Sequence, residues 1–338
     1  MVKERIHWID IAKGIAILCV FIGHTVSTPG ALSSFVYFFH MPAFFLLSGY
    51  CFSNRRKFGE FVVNKLKTIV LPIFTIGLSG AVLVGLMMQF VKHDAVDWKW
   101  IFLNPLVQCG EHSLLWYLAA LFVDMLVFYG MTKLFKDRKA PLIIAAFVLG
   151  LGSYCFIKFV GIKTPWCVDT ALVALPFITV GYVLKKAGNF ERCGKAWVLI
   201  LSFALCMITG VLNTVKFGGS EMHSNTYGNI FLFYISAFAG IMMLCSASML
   251  IKKSKLIEYF GRNSLIFYAF EPIQYFANFA LKALGLNDLP DEKFSLNLGI
   301  TIIAVVFITA VSCLASAIIN NYLPFLIGKK SKAKEINS

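Results

Sequence analysis

The sequence predicts an all-α polytopic membrane protein with about ten transmembrane helices and both termini in the cytoplasm. Three observations support this fold class: the apolar composition, ten long apolar stretches and an uneven distribution of basic residues. Of 338 residues, 59% are apolar and 14% are charged, and the mean hydropathy is +0.77. An average soluble domain has about 25% charged residues. Lipid must therefore be the main solvent of this chain, which excludes a soluble globular protein.

Ten apolar stretches are long enough to cross a bilayer, because a helix that rises about 1.5 Å per residue needs about 20 residues to do so. They lie near residues 11–28, 34–52, 68–91, 113–132, 141–159, 168–184, 196–213, 228–250, 263–284 and 297–327. These stretches use most of the chain, so residues 1–338 are expected to form a single membrane-embedded domain. The loops 92–112, 214–227 and 285–296 are long enough to shape a pocket on the predicted outer side.

Basic residues fall mainly in alternate loops. One predicted side carries 23 of the 31 Lys and Arg residues and the other carries seven, while Lys13 lies inside the first span. By the positive-inside rule, the side with 23 is cytoplasmic. This placement explains the net charge of +14 without a nucleic-acid partner, because a nucleic-acid-binding face would gather its basic residues on one surface. The nine cysteines show no zinc-ligand spacing, so no metal site is predicted.

The first span contains three ionisable residues, Asp10, Lys13 and His24. At 100° per residue, the eleven steps from Lys13 to His24 complete about three turns, so both side chains lie on one helix face. Asp10 is close enough in helical spacing to pair with Lys13. Ionisable groups at membrane depth are costly and usually face the bundle interior, which makes this face a candidate site. Alternatively, Asp10 and Lys13 reach the headgroups and His24 bonds a neighbouring helix.

The second span places a second histidine, His40, near the predicted depth of His24. A neutral imidazole can accept a proton from a hydroxyl and return it to a leaving group, as acyl transfer to an alcohol requires. Pro42 follows two residues later and leaves backbone carbonyls unpaired, which is tolerated only against protein or water. The pattern therefore favours a proton-transfer pair, with a structural histidine that caps the kink as the alternative.

Several motifs together resemble the membrane-bound acyltransferase family 3, in particular its branch similar to fucose 4-O-acetylases. They are Trp8-Ile9-Asp10, Lys13 followed by ten residues and His24, Phe39-His40-Met41-Pro42, Ser48-Gly49-Tyr50, Leu115-Trp116-Tyr117-Leu118 and Gly261-Arg262-Asn263-Ser264-Leu265. The resemblance is densest over residues 5–52. It implies about ten membrane helices and transfer of an acyl group, commonly acetyl from acetyl-CoA, to sugars of surface or secreted glycans.

Carried over residue by residue, the resemblance implies that His24 is a catalytic base or positions the acyl group, and that His40 is a second candidate. The sequence departs from the family pattern at two places. Lys65-Leu66-Lys67 stands where members often have an Arg-x-x-Arg-like pair, and Phe270-Glu271-Pro272 stands where members usually have a histidine. Glu271 is then the third candidate for proton transfer.

The remaining candidates lie at the two predicted membrane surfaces. Basic groups at the cytoplasmic mouth are suited to the phosphates of CoA, although topology alone also explains them. The cofactor-binding candidates are Lys13, Arg55, Arg56, Lys65 and Lys67. Groups for the sugar acceptor are Asp10, Glu111, Trp116 and Tyr117, although aromatic belts also occur at the depth of the last two.

The predicted function is therefore O-acyl transfer in the bacterial inner membrane, from cytoplasmic acetyl-CoA to a hydroxyl of a surface or exported glycan. Acetyl-CoA is a co-substrate, and no permanently bound cofactor is expected. The expected partners are acyl-CoA, a glycan or lipid-linked sugar acceptor and membrane lipid. A proton-coupled secondary transporter would also place ionisable residues inside the bundle, and a membrane sensor would tolerate their loss. These two classes remain the alternatives.

Overall fold

A computed structural model describes residues 5–91, 93, 95–107, 116–269, 272–286 and 293–329, and these residues are helical apart from short connections. The first helices are α1 (His7–His24), α2 (Gly30–Tyr37), α3 (His40–Tyr50), α4 (Phe58–Lys65), α5 (Leu78–Val91), α6 (Trp98–Val107), α7 (Trp116–Leu134) and α8 (Lys139–Val160). The others are α9 (Val168–Ala187), α10 (Ala196–Phe217), α11 (Ile230–Ile251), α12 (Lys255–Arg262), α13 (Ser264–Ala269), α14 (Pro272–Ala283) and α15 (Phe294–Tyr322). The predicted all-helical fold is confirmed.

Within these described ranges, nine helical segments are long and apolar enough to cross a membrane. They correspond to nine of the ten predicted spans, with α2 and α3 counted together and α4 and α5 counted together. The remaining predicted span, 263–284, is described as α13 and α14, two helices too short to cross a bilayer individually. Residues 270 and 271, between them, lie outside the described part of the chain.

Contacts between loops divide the bundle into two ends. At the end that contains the start of α1, Trp8 donates a hydrogen bond to Glu191, Asn54 donates to Asp137 and Lys185 donates to the carbonyl of Phe52. We call this the His7 end and the opposite one the His24 end. The loops with the predicted cytoplasmic basic groups meet at the His7 end, as alternating helices require.

The crossing of α3 and α9 is unusually close. A Cβ atom on Gly49 would meet the carbonyl oxygen of Ile178, and one on Gly181 would meet the carbonyl oxygen of Leu46. Small residues at such crossings let two helix backbones approach and gain van der Waals contact, which drives helix association in lipid. This crossing fixes α3, and with it the second-span motif, against the centre of the bundle.

Two predictions about local structure need correction. The second span does not bend at Pro42. It breaks at Phe38 and Phe39, so Pro42 lies in the first turn of α3, where its missing N–H has no intrahelical acceptor to lose. Asp10 does not pair with Lys13, because its Oδ2 accepts a hydrogen bond from Arg5 Nε at 3.0 Å. The Lys13 side chain instead borders a cavity inside the bundle.

The predicted orientation can be tested by labelling. We expect a cysteine at Lys332 to be inaccessible from outside intact cells and a cysteine at Lys216 to be accessible, because the basic loops stay in the cytoplasm. Exposed native thiols such as Cys51 and Cys155 are first replaced by serine. Membrane-impermeant maleimide is then applied to intact and to permeabilised cells. Labelling of Lys332→Cys in intact cells would contradict the predicted topology.

Asp137 joins the loop before α8 to the loop after α3. Its carboxylate accepts hydrogen bonds from the Tyr182 hydroxyl at 2.9 Å, from Asn54 Nδ2 at 3.0 and 3.1 Å, and from Lys186 Nζ at 3.2 Å. Partial burial raises the pKa of Asp137, but the hydrogen bonds from Asn54, Tyr182 and Lys186 outweigh it and leave the pKa below its usual value.

This lowered pKa predicts a pH dependence of stability. The contribution of the Asp137 carboxylate is complete above the pKa of an unfolded aspartate, about 3.9, and is lost as the pH falls through the lower folded-state pKa. We expect the melting temperature of the wild-type protein to fall more steeply below about pH 4 than that of Asp137→Asn. Parallel pH profiles for the two proteins would contradict this assignment.

Candidate active site

The end of α1 carries His24, which is the last residue of the helix and is exposed at the His24 end. Two residues of α14 hold this end. Gln274 Nε2 donates to the carbonyl of Phe21 at 2.7 Å, and Asn278 Nδ2 donates to the carbonyl of His24 at 2.9 Å. The last carbonyls of a helix lack intrahelical partners, so these amides satisfy groups that would otherwise need water. They also fix the backbone from which the His24 imidazole extends.

Three rings form the centre of the candidate site. The Tyr37 ring lies 6.0 Å from the His24 imidazole and 5.1 Å from the His40 imidazole, measured between ring centroids. The two histidines, which lie 16 positions apart on different helices, are therefore brought to one place, as the sequence predicts. His24 is exposed, whereas His40 is almost fully buried.

His40 is held by the break between α2 and α3. Its Nδ1 lies 2.6 Å from the carbonyl oxygen of Val36, near the end of α2, and donates a hydrogen bond to it. A proton on Nδ1 leaves the lone pair on Nε2, the form required of a base. The same bond satisfies a carbonyl at the helix break. The contact therefore fits the structural alternative for His40 as well as a role in proton transfer.

A loop between α10 and α11 brings further polar groups to His24. Glu221 and His223 both lie within electrostatic range of the His24 imidazole. The His223 ring is 5.8 Å from the ring of Trp116, the first residue of α7. Backbone hydrogen bonds of 2.7 and 3.0 Å pair Glu221 with Thr226 and fix the turn between them. His24 thus lies near a carboxylate and an imidazole, and that imidazole packs beside an indole.

A cavity of about 130 Å³ lies inside the bundle on the other side of the α2–α3 break. We call it the Lys13 cavity. Besides Lys13, its lining includes Met41, Ser48, Tyr117 and Tyr268. The Tyr117 hydroxyl is 3.4 Å from Ser48 Oγ, and the Tyr268 hydroxyl accepts a 3.4 Å hydrogen bond from the Tyr117 backbone N–H. Its wall is mainly apolar, with hydroxyls and one ammonium group.

A second, more open depression lies on the opposite side of that break. We call it the Glu221 pocket; it has a volume of about 400 Å³ and is lined by Ser34, Tyr37, Phe38, Thr214, Gly218, Gly219, Ser220, Glu221 and Thr226. Tyr37 and Phe38 precede the break, whereas Met41 of the Lys13 cavity follows it. His40 therefore lies along the chain between residues that line the two spaces.

Basic groups extend from the surface of the His7 end toward the Lys13 cavity. Arg56 and Lys67 border a cleft of about 550 Å³ along α4. Lys65 is within electrostatic range of both Arg56 and Lys13, and its Nζ lies 5.4 Å from the centre of the Phe61 ring. Arg55 is exposed in the preceding loop. Four of the five cofactor-binding candidates, all except Arg55, therefore line the cleft or the cavity or lie within electrostatic range of both.

One acceptor candidate lies far from His24, and another lines the Lys13 cavity. Asp10 is at the opposite end of α1, about 21 Å away by helix rise, and is paired with Arg5. Tyr117 is buried and lines the Lys13 cavity, while its neighbour Trp116 faces His223. The centroids of these two rings are 6.4 Å apart, with one ring at the cavity and the other at His223. Glu111 and Glu271 lie outside the described residues, and their predicted roles stay predictions.

Sequence reasoning missed Glu221, His223, Gln274 and Asn278. The first two belong to the loop 214–227, which is long enough to shape a pocket, but loop length does not say which side chains turn inward. The amides of Gln274 and Asn278 lie four residues apart in a predicted span, and this spacing places both on one helix face. That signal was available in the sequence.

A comparison with known families identifies the family of this chain. Residues 6–319 match a family model described as an acyltransferase domain, Acyl_transf_3, and the chain belongs to this acyltransferase 3 family. It is therefore a membrane acyltransferase, a transferase that uses an acyl donor and an acceptor. No curated protein sequence matches the chain.

Proposed function

We propose that this protein transfers acetyl from cytoplasmic acetyl-CoA to a sugar hydroxyl of a surface or exported glycan. The observation that supports this function is the pair of spaces on the two sides of the α2–α3 break, with His24 and His40 beside it. A donor that enters through one space and an acceptor that enters through the other can meet at these histidines.

The donor side is the Lys13 cavity. The phosphates of CoA carry several negative charges, and Arg56, Lys65 and Lys67 provide ammonium and guanidinium groups where the cleft begins. The pantetheine arm is long, thin and partly apolar, which matches a cavity whose wall combines hydroxyls with apolar side chains. Among the described residues that line this cavity, Lys13 is the basic one. Its ammonium group binds a phosphate or the carbonyl oxygen of the donor.

The chemical step needs one base and one leaving group. His24 accepts the proton of the acceptor hydroxyl while its oxygen attacks the carbonyl carbon of the thioester. The carbon–sulfur bond then breaks, and the proton passes to the CoA thiolate to give free CoA and an acetyl ester. An imidazole suits both proton transfers, because it can accept a proton on one ring nitrogen and release it again.

The test uses purified full-length protein in lipid nanodiscs with labelled acetyl-CoA and a panel of sugars and lipid-linked glycans. We expect release of CoA together with an acetylated product that depends on the acceptor. Acyl chains of other lengths are included as competing donors. Flux of a solute across proteoliposomes without any consumption of acetyl-CoA would favour the transporter alternative and contradict this proposal.

Lys13 provides a check of the donor side. We expect Lys13→Met to raise the KM for acetyl-CoA by about tenfold or more, the effect of losing one charge-assisted hydrogen bond of about 1.5–3 kcal/mol, with a smaller effect on the KM for the acceptor. Lys216→Met, a change of an exposed lysine at the other end of the bundle, is the matched control. Equal changes in both KM values would place Lys13 outside the donor path.

A further inference from the structure

We infer that the Glu221 pocket is the acceptor site and that it takes an uncharged pyranose unit rather than an acidic sugar. This inference rests on the proposed function and adds the location of the acceptor and its charge class. It is carried by four features of the described residues: the position of the pocket, its hydroxyl lining, its fixed loop and the sign of its charge.

The position follows from Tyr37. This residue lines the pocket, and its ring is 6.0 Å from the His24 imidazole and 5.1 Å from the His40 imidazole. Glu221, which also lines the pocket, is within electrostatic range of His24. A molecule in the pocket therefore lies beside the candidate base, at the end of the bundle opposite the basic cleft for the donor.

The lining suits a polyhydroxylated ring. Ser34, Thr214, Ser220 and Thr226 supply hydroxyl groups, each of which can donate and accept hydrogen bonds. Ser220 Oγ is buried and has no hydrogen-bond partner among the described residues. A buried polar atom without a partner costs free energy, so a ligand hydroxyl that bonds Ser220 gains from satisfying it. The Tyr37 and Phe38 rings offer apolar surface to the C–H face of a sugar.

The loop that forms the outer wall is already fixed. Glu221 and Thr226 pair through two backbone hydrogen bonds, and the Ser224 hydroxyl donates to Glu221 Oε2 at 2.9 Å. Gly218 and Gly219 have φ values of 85° and 80°, which glycine adopts without strain. A wall that is ordered before binding lowers the entropic cost of binding a small ligand.

Charge decides the class of acceptor. Among the described residues that line the Glu221 pocket, Glu221 is the charged one, and none is a lysine or arginine. A carboxylate or phosphate on the acceptor would meet Glu221 with like charge and without a compensating cation. A neutral sugar avoids this repulsion and offers hydroxyl donors to the Glu221 carboxylate.

The test measures binding without any acyl donor, so that it is independent of turnover. Methyl glucoside, methyl galactoside and methyl fucoside are compared with methyl glucuronide and methyl galacturonide by saturation-transfer NMR on the full-length protein in nanodiscs. Ser34→Trp fills the pocket from α2, and Ala31→Trp adds the same side chain at an exposed position of that helix outside the pocket. Glu221→Gln removes the charge while keeping the size of the side chain.

We expect at least one neutral pyranoside to bind at least tenfold more tightly than its uronide, and Ser34→Trp but not Ala31→Trp to abolish this binding. Glu221→Gln should reduce the ratio of the dissociation constants for acidic and neutral sugars at least threefold. The inference is overturned if no pyranoside binds, if Ser34→Trp binds like Ala31→Trp, or if uronides bind as well as neutral sugars. Binding without acetyl transfer to any bound sugar would instead contradict the proposed function.

Discussion

Replacing His24 with alanine is expected to lower the rate of acetyl transfer by about 10² to 10⁴, the usual loss when a general base is removed. The imidazole is exposed at the end of α1, so its removal leaves no cavity in the core. The backbone of this helix end is held by Gln274 and Asn278. We therefore expect normal yield and an unchanged melting temperature, with kcat reduced far more than either KM.

A second histidine serves as the control for this variant. His93 is exposed, and its φ of 57° is a conformation that asparagine tolerates. His93→Asn should keep the turnover of the wild-type protein. A His24→Ala protein with wild-type turnover and normal yield would show that His24 is a structural residue and would require another base.

A large effect on stability is expected from substitution of Gly49. A Cβ atom at this position would overlap the carbonyl oxygen of Ile178 in α9, and a backbone atom cannot rotate away as a side chain can. Gly49→Ala must therefore separate α3 from α9, and overpacking of this kind costs about 1–3 kcal/mol or more. We expect a clear fall in melting temperature, together with lower activity because α3 carries His40.

Gly130 in α7 offers the matched control. A Cβ atom there would have no neighbour within 4 Å. Gly130→Ala should be neutral or stabilising by about 0.5–1 kcal/mol, because alanine loses less conformational freedom in a helix than glycine does. If the two glycine variants melted at the same temperature, the close crossing of α3 and α9 would be refuted.

Much of the fold was predictable because lipid imposes simple rules. Apolar length and the distribution of lysine and arginine gave the helical class and the grouping of loops at two ends, and nine of the predicted spans recur among the described helices. The break at Phe38 and Phe39 was not predictable from Pro42, since a proline in the first turn of a helix causes no kink. The region around 263–284 combines short helices with polar residues. Its hydropathy alone does not reveal that it forms short helices and not one span.

The candidate site was predictable only in part. The spacing of Lys13 and His24 and the motif around His40 identify residues that the structure places next to the two spaces. The roles of Glu221 and His223 depend on how a loop folds back over α1, which is a tertiary property with no periodic pattern. The predicted partner of Asp10 was wrong. Helical spacing allows an ion pair with Lys13 but does not exclude one with Arg5, which lies before the helix.

The break between α2 and α3 has an electrical consequence. The Glu221 pocket is lined by residues that precede the break and the Lys13 cavity by residues that follow it, so a layer of protein at the break separates the two spaces. When both spaces hold water, most of the membrane potential drops across this layer. Moving one elementary charge across the whole of a 100 mV drop changes its energy by about 2.3 kcal/mol. Under the proposed function, a proton that moves between His24 and the CoA thiolate would cross part of that field. Acetyl transfer by this protein would then depend on membrane voltage, although neither the donor nor the acceptor crosses the membrane.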